Sequence, residues 1–448
     1  MRIDNHYKSN NLLTVLALFI CIFNPLSDFG ISNIFGWVFL VGVWLLNTLK
    51  HHGRLYLTKS RLGYCLVVLV VFIFFCMPNA RNDNKSTQAL IINIFFCGLY
   101  LLSADVSKRE IHSIMKIFAT SSVIFSVYII FCRIFPEIYL NVIVPRLRGV
   151  DAIAATLSIR RGYGAHIANS ITFGPYVITM GMFCCLPDIL FGGELFGKKT
   201  AVFYEILFLA AILCEGRRSE LIAVILALLV IYIISTSKRA SEILKRVGAL
   251  FIIGIVGVVL VVFLLRQGFL ARYVTTIDLL QGGLTIDMLN RLTSSRYRLW
   301  MFAWEFFKSS PLIGIGWSSF SLYVETAVNN VHNCYLQFLC ETGIVGFALI
   351  LMPFLFLLVK STRQMKIIVR EREISRSSVG STILISVGMQ VYFLLLYAMD
   401  PVFYKGYYHM MHIMLIIFYE YATKIFNQEM KEEQHYANLG EYEGRNTL

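Results

Sequence analysis

Apolar runs of about 17–25 residues follow one another from the first dozen residues to about residue 422, and this feature constrains the fold most. Lipid offers no partner to a backbone N–H or C=O, so each run must satisfy its own, as a helix does within one segment. The expectation is an all-α polytopic membrane protein. Composition agrees: 57 % of the 448 residues are hydrophobic and 15 % charged, against roughly 45–50 % and about 25 % in soluble domains. Breaks at polar, Gly and Pro residues place about twelve transmembrane helices. They run over 11–29, 31–49, 62–78, 88–104, 111–132, 167–187, 201–215, 219–236, 247–265, 335–359, 378–398 and 403–422. Together they read as a single bundle over 1–422, with the polar residues 423–448 as a cytoplasmic tail. Arg2 and Lys8 precede the first run and no small-residue cleavage site follows it, so it reads as a retained helix.

The net charge of +13 would point to nucleic acid in a soluble chain; here it must first be sorted by membrane side. With the N-terminus cytoplasmic, KHHGRLYLTKSR, SKRASEILKR and KSTRQMKIIVREREISR all fall inside, as the positive-inside rule asks. No nucleic-acid partner is implied. The inside then holds 13 Lys and 11 Arg, and the outside 13 Arg with only 3 Lys. Guanidinium forks match phosphate and carboxylate, whereas Lys is a point charge and the usual inside marker. The outer face therefore reads as a site for such groups, beside arginines that only snorkel to headgroups. The ten cysteines lie almost all in apolar runs and show no CxxC or Cys/His metal spacing, so neither a disulfide frame nor a metal site is expected.

Two outer loops are long, about 136–166 and about 266–331, and loops beyond about 12–15 residues are commonly functional. In the second, Tyr297, Trp300, Trp304 and Phe307 recur at helical spacing, with Arg298 and Glu305 near another face. That spacing predicts an amphipathic helix lying on the outer leaflet, its aromatic stripe an anchor rather than a sugar platform. Among nine histidines, His166, His332, His409 and His412 fall outside. His332 stands where the long loop re-enters the membrane, and an imidazole there can accept a hydroxyl proton near neutral pH or simply cap a helix. His409 and His412 share a helix face and read as a packed pair, since no acid completes a metal site; Asp400 is a turn away at best. Arg217 and Arg218 occupy a tight turn at the outer mouth, where charge is costly without a partner or ligand. Glu215 and Glu220 could be that partner.

HNCYLQFLCETGIVG fits the His-Asn, nine residues, Gly, two residues, Gly pattern of the O-antigen ligases. EGRRSELIAVILALLV resembles their Arg-containing turn before an apolar helix, and RYRLWMFAWEFFKSSPLIGIGWSSF the segment leading to a Pro-Leu-x-Gly-x-Gly turn. These segments lie between about 201 and 359, a region that ligases share with O-antigen and capsule polymerases. The resemblance implies a bundle of about twelve helices similar to GT-C-like lipid-linked sugar transferases, acting at the periplasmic face of the bacterial inner membrane without metal or other cofactor. The donor it implies is a glycan on undecaprenyl diphosphate. The acceptor would be the lipid A core for a ligase, or a second lipid-linked repeat for a polymerase, which a chain-length regulator would accompany. His332 would act as the catalytic base, and Arg217 or Arg218 with Arg296 or Arg298 would hold the diphosphate. Tyr297 separates the second pair, putting its members on different faces of a helix. Arg298 and Gly314, fifteen residues between them, also fit a spacing similar to that of polymerases. A flippase for the same lipid-linked glycan is the competing class; it needs ionisable groups deep in the spans, and here the charges crowd the outer mouth.

Overall fold

The computed structural model describes residues 13–14, 16–18, 35–53, 57, 60–76, 83–105, 108–147, 149–160, 162–165, 173–192, 195–234, 285, 288–290, 293, 296–324, 330–370, 378–400, 412–424, 426–428 and 431. The expected span 247–265, the first part of the second long loop, His166, His409 and the end of the tail lie outside these. Among the described residues the structure is helical, with no strand. The principal helices are α1 (Phe35–His52), α2 (Arg61–Cys76), α3 (Asp83–Leu101), α4 (Lys108–Ile134), α5 (Gly149–Arg160), α6 (Phe173–Phe191), α7 (Lys198–Glu215) and α8 (Arg218–Ile234). After the gap come α9 (Arg296–Ser309), α10 (Phe320–Tyr323), α11 (Cys334–Arg370), α12 (Ser378–Tyr397) and a helix over 412–424.

Among the described residues, four helical stretches are long and apolar enough to cross a membrane, Glu110–Ile134, Phe173–Phe191, Cys334–Ile367 and Gly380–Tyr397. Val38–Lys50, Arg61–Cys76 and Ser219–Ile234 are shorter apolar helices. The outer helices are apolar on both faces. In α2, Leu62, Leu66, Leu69 and Ile73 form the buried stripe, while Val67, Val68, Val71, Phe74 and Phe75 are exposed. A soluble helix would carry polar residues on that second face; an apolar one belongs in lipid. The protein is a helical membrane protein.

α6 is buried along nearly its whole length and packs with α4, α7 and α12. Small residues let it approach: a Cβ on Gly181 would lie 2.3 Å from Ser122 Oγ, and that hydroxyl donates across the contact to Val177 O at 2.6 Å. This is the close packing that lipid, which gives no hydrophobic drive between helices, requires.

The bundle has two chemically different ends. At one, Tyr100 bridges Ser60 and Glu420, while Tyr419 and Thr423 both donate to Gln364 in the distal part of α11. At the other end of α11 lies His332, with the turn between α7 and α8 and the end of α12 beside it.

α11 is two helices joined at Gly343, whose φ of 63° and ψ of −170° lie in a region open essentially to glycine alone. The break leaves backbone groups unpaired, and the Pro-Leu-Ile-Gly-Ile-Gly turn supplies their partners. Ile344 N–H donates to Pro311 O at 2.9 Å, Ile315 N–H to Cys340 O at 2.9 Å and Gly316 N–H to Glu341 O at 3.0 Å. The Glu341 carboxylate, fully buried, accepts Ser318 N–H at 2.9 Å and Phe320 N–H at 3.1 Å. The two glycine motifs thus fold against each other and fix where α11 begins.

Candidate functional site

The helix expected in the second loop is α9, and it meets the protein through small and aliphatic residues. Leu299 and Ala303 are its buried residues, and they pack with Phe320, Val331 and Cys340. Trp304 is exposed, whereas Trp300 and Phe307 lean partly against that cluster. The α9 seam therefore docks onto the start of α11 and carries Arg296 toward it.

His332 follows in an unusual conformation. Its φ is +55°, left-handed for a bulky residue and a marker of functional strain. Its N–H donates to Asn330 Oδ1 at 3.1 Å. Asn333 is the N-cap of α11, its Oδ1 accepting Leu336 N–H at 3.1 Å. In the His-Asn pair, then, the Asn anchors the helix and the His is held out from it, its side chain 28 % exposed. Asn333→Ala is expected to cost about 1 kcal/mol and Asn333→Asp close to nothing, read as thermal melting of the purified protein.

The Arg217 turn is built by a helix stop. Gly216 caps α7 in the left-handed conformation, its N–H donating to Leu213 O at 3.1 Å, and α8 begins at Arg218. Arg217 is 7 % exposed. Its Nη2 lies 2.6 Å from Asp400 Oδ2 and 2.8 Å from Glu220 Oε1. Its Nη1 has no hydrogen-bond partner among the described residues. Burial disfavours the cation, but Glu220 and Asp400 outweigh that cost and leave its pKa raised. Of the two acids expected to explain Arg217, Glu220 pairs with it and Glu215 does not.

Asp400 at the end of α12 is where the site converges. Besides Arg217, its Oδ2 accepts the Tyr176 hydroxyl of α6 at 3.1 Å. Its Oδ1 faces His332 Nδ1 at 3.8 Å, outside hydrogen-bond range, and that Nδ1 has no partner among the described residues. Its backbone carbonyl accepts the Cys334 thiol at 3.2 Å. Arg296 Nη1 donates to the neighbouring Met399 O at 2.5 Å. Burial lowers the Arg296 pKa, Arg217 adds to that and Asp400 opposes it; both guanidiniums remain cations.

The structure thus brings together Arg217, Arg296 and His332, from three separate parts of the sequence. Arg298 is not among them. It is exposed, its guanidinium 5.6 Å from the Phe302 ring centre, as the opposite-face reading of the pair implies. The Arg218 side chain lies outside the described residues. His412 is buried far from solvent, stacked on Tyr397 and edge-on to Phe354. Sequence reasoning missed Asp400 and Tyr176 as site residues. A signal for Asp400 existed: an acid directly before Pro401, closing an apolar run on the side richest in arginine. Tyr176 had none, being one tyrosine among 23. Among the described residues no group of three His, Cys, Asp or Glu side chains is placed to hold a metal ion.

An end of a membrane bundle with one buried arginine, one half-buried arginine and a half-buried imidazole is what the quoted motifs would have to build. Residues 203–351, about a third of the chain, match the family model described as O-antigen ligase. Over these residues the chain is similar to the O-antigen ligase and polymerase superfamily. The match takes in Arg217, Arg296, His332 and the paired glycine motifs, and stops before Asp400. No curated protein matches the chain. The likeness is to glycosyltransferase-like enzymes of the ligase or polymerase type.

Proposed function

We propose that the chain transfers a glycan from undecaprenyl diphosphate to a sugar hydroxyl, as a metal-independent O-antigen ligase with the lipid A core as acceptor. The GT-C-like bundle would sit in the inner membrane with the site toward the periplasm. The observation that carries this reading is the meeting of Arg217, Arg296 and His332 around Asp400, with Arg217 Nη1 and His332 Nδ1 having no hydrogen-bond partner among the described residues. A buried guanidinium N–H with no acceptor is a costly group, and an anionic ligand oxygen would satisfy it.

The chemistry follows from the charges. His332 takes the proton of the acceptor hydroxyl as that oxygen attacks the anomeric carbon. The bond from that carbon to the diphosphate oxygen breaks, and the diphosphate leaves as an anion. Leaving as an anion, it needs preorganised positive charge rather than an acid, and Arg217 with Arg296 supplies it. Attack from the face opposite the diphosphate inverts the anomeric configuration. Detection of a covalent glycosyl-enzyme, or of retained configuration, argues against His332 as base. Loss of the Arg217 donor should lower the rate on the order of 10²–10³. Arg298→Ala, remote from Asp400, should cost less than about tenfold, assayed as glycan transfer in membranes complemented with each variant.

Polymerase is the second reading, favoured by the fifteen residues between Arg298 and Gly314. Deleting the gene and examining the extracted glycan separates the two. Loss of all capped core with accumulated long lipid-linked chains supports the ligase. Core carrying a single repeat unit means polymerase. Unchanged glycan with stalled inward-facing intermediates means a flippase and ends the transferase reading.

A further inference from the structure

The carboxylate of Asp400 faces three side chains, and how it is turned decides what each of them can do. Its backbone is fixed by the turn that closes α12, where Ala398 N–H donates to Leu395 O at 3.2 Å, Met399 N–H to Leu396 O at 2.8 Å and Asp400 N–H to Leu396 O at 2.9 Å. The terminal torsion of an aspartate is soft, so the donors around the carboxylate set its rotation. Two of them share Oδ2: Arg217 Nη2 at 2.6 Å and the Tyr176 hydroxyl at 3.1 Å. Oδ1 is thereby turned toward His332 Nδ1, 3.8 Å away.

An arginine and an aspartate left to themselves settle differently. They favour two parallel N–H···O bonds, one to each carboxylate oxygen. Here Arg217 Nη1 makes no hydrogen bond to Asp400, and the pair is joined through Nη2 alone. Closing the two-bond pair would turn Oδ1 from His332 onto Nη1 and use up the donor that an anionic ligand needs. The same rotation would carry Oδ2 off the Tyr176 hydroxyl, so that hydrogen bond opposes it. The hydroxyl cannot follow. Tyr176 is fully buried in α6, its ring edge-on to Tyr392 of α12 with centroids 6.4 Å apart, and a phenol held by its ring has a fixed oxygen. Tyr176 and Asp400 both lie outside residues 203–351, so the matched segment does not contain this pair.

We propose that Tyr176 is a positioning residue: by sharing Asp400 Oδ2 with Arg217 it holds their ion pair to a single hydrogen bond, keeping Arg217 Nη1 for the diphosphate and Asp400 Oδ1 for His332. This rests on reading the site as the holder of a diphosphate. The test uses purified full-length protein, with undecaprenyl diphosphate as the binding probe and glycan transfer as the second readout. Tyr176→Phe keeps the ring and its packing and removes only the hydroxyl. Its affinity for the probe is expected to fall about tenfold, because Asp400 then competes for a charge-assisted bond to phosphate. The kcat for transfer should fall about ten- to hundredfold, with KM for the acceptor within about twofold of wild type. An amide offers one acceptor oxygen and cannot close the two-bond pair. In an Asp400→Asn background, therefore, Tyr176→Phe should change the probe affinity by less than about twofold. Tyr335→Phe is the control: its hydroxyl donates to Leu394 O on α12 at 2.5 Å, away from Asp400, and its loss should leave probe binding unchanged.

Wild-type affinity in Tyr176→Phe overturns the proposal, as does a loss of the same size in the Asp400→Asn background or in Tyr335→Phe, because each means that the hydroxyl does not act through the carboxylate. The transferase reading fails differently: wild type itself would then bind no undecaprenyl diphosphate, and the proposal would fall with it. Wild type that binds the probe beside a Tyr176→Phe protein that binds it equally well removes the proposal alone.

Discussion

Asp400→Asn is expected to leave the protein folded and to remove glycan transfer by on the order of 10²–10⁴, as much as His332→Ala does. The argument lies in which atoms of Asp400 are already taken. Oδ2 accepts from Arg217 at 2.6 Å and from Tyr176 at 3.1 Å, so an asparagine must put its carbonyl oxygen there. Its amide then faces His332 Nδ1 in place of Oδ1, which lies 3.8 Å away. A carboxylate in that position favours the imidazole with a proton on Nδ1 and a free Nε2, the form able to take a proton from a hydroxyl. An amide N–H favours the reverse tautomer, in which Nε2 already carries a proton. Asp400→Ala should do more, because it strips one of two acids from a buried arginine, a change costing about 3–5 kcal/mol in such pairs. Melting of the purified variants and transfer in complemented membranes separate these effects. If His332 and Asp400 act through one another, Asp400→Asn combined with His332→Ala transfers no more slowly than either alone. Near wild-type transfer by Asp400→Asn would remove His332 from the base role.

What the sequence could disclose here follows its own periodicities. Apolar runs mark helices, and α4, α6, α8 and α12 lie close to where those runs fall, because in lipid the backbone leaves no other choice. The break at Gly343 was not legible as a break: 335–359 reads as one continuous apolar stretch, and only the facing Pro311–Gly316 turn explains why a glycine stands in it. For α9, helical spacing identified the element and read its aromatic stripe as a membrane anchor, which left the face that docks on the protein unassigned. That face is carried by Leu299 and Ala303, buried in one cluster with Phe320, Val331 and Cys340. Spacing did imply that Arg296 and Arg298 diverge, and they do. It could not connect Arg217 with an acid 183 positions later, since a contact at that range leaves no local pattern. Glu220, three residues from Arg217 on a helix, was the acid that local reasoning could reach.

Gly343→Ala is expected to cost about 4 kcal/mol or more and to deplete the folded protein from membranes, a loss in the exceptional range for one substitution. Two costs combine. The backbone at φ 63° and ψ −170° is open essentially to glycine, which alone accounts for about 1–3 kcal/mol. The added Cβ would also lie 2.2 Å from the Leu312 carbonyl carbon, a backbone atom that cannot swing aside. Gly314→Ala meets the same contact from the other side, its Cβ 2.3 Å from the Glu341 carbonyl carbon. Pushing the two segments apart would break the hydrogen bonds that pair Ile315 with Cys340 and Gly316 with Glu341, and with them the placement of His332 and Asn333 at the start of α11. Gly98→Ala is the control. It lies in α3 with nothing within 4 Å of its added Cβ, so it should gain a few tenths to about 1 kcal/mol from helix propensity. Membrane abundance and melting of the three variants provide the measurement. A Gly343→Ala protein that accumulates and melts like the Gly98 variant would show that α11 can run straight through residue 343, and that the turn does not set the position of His332.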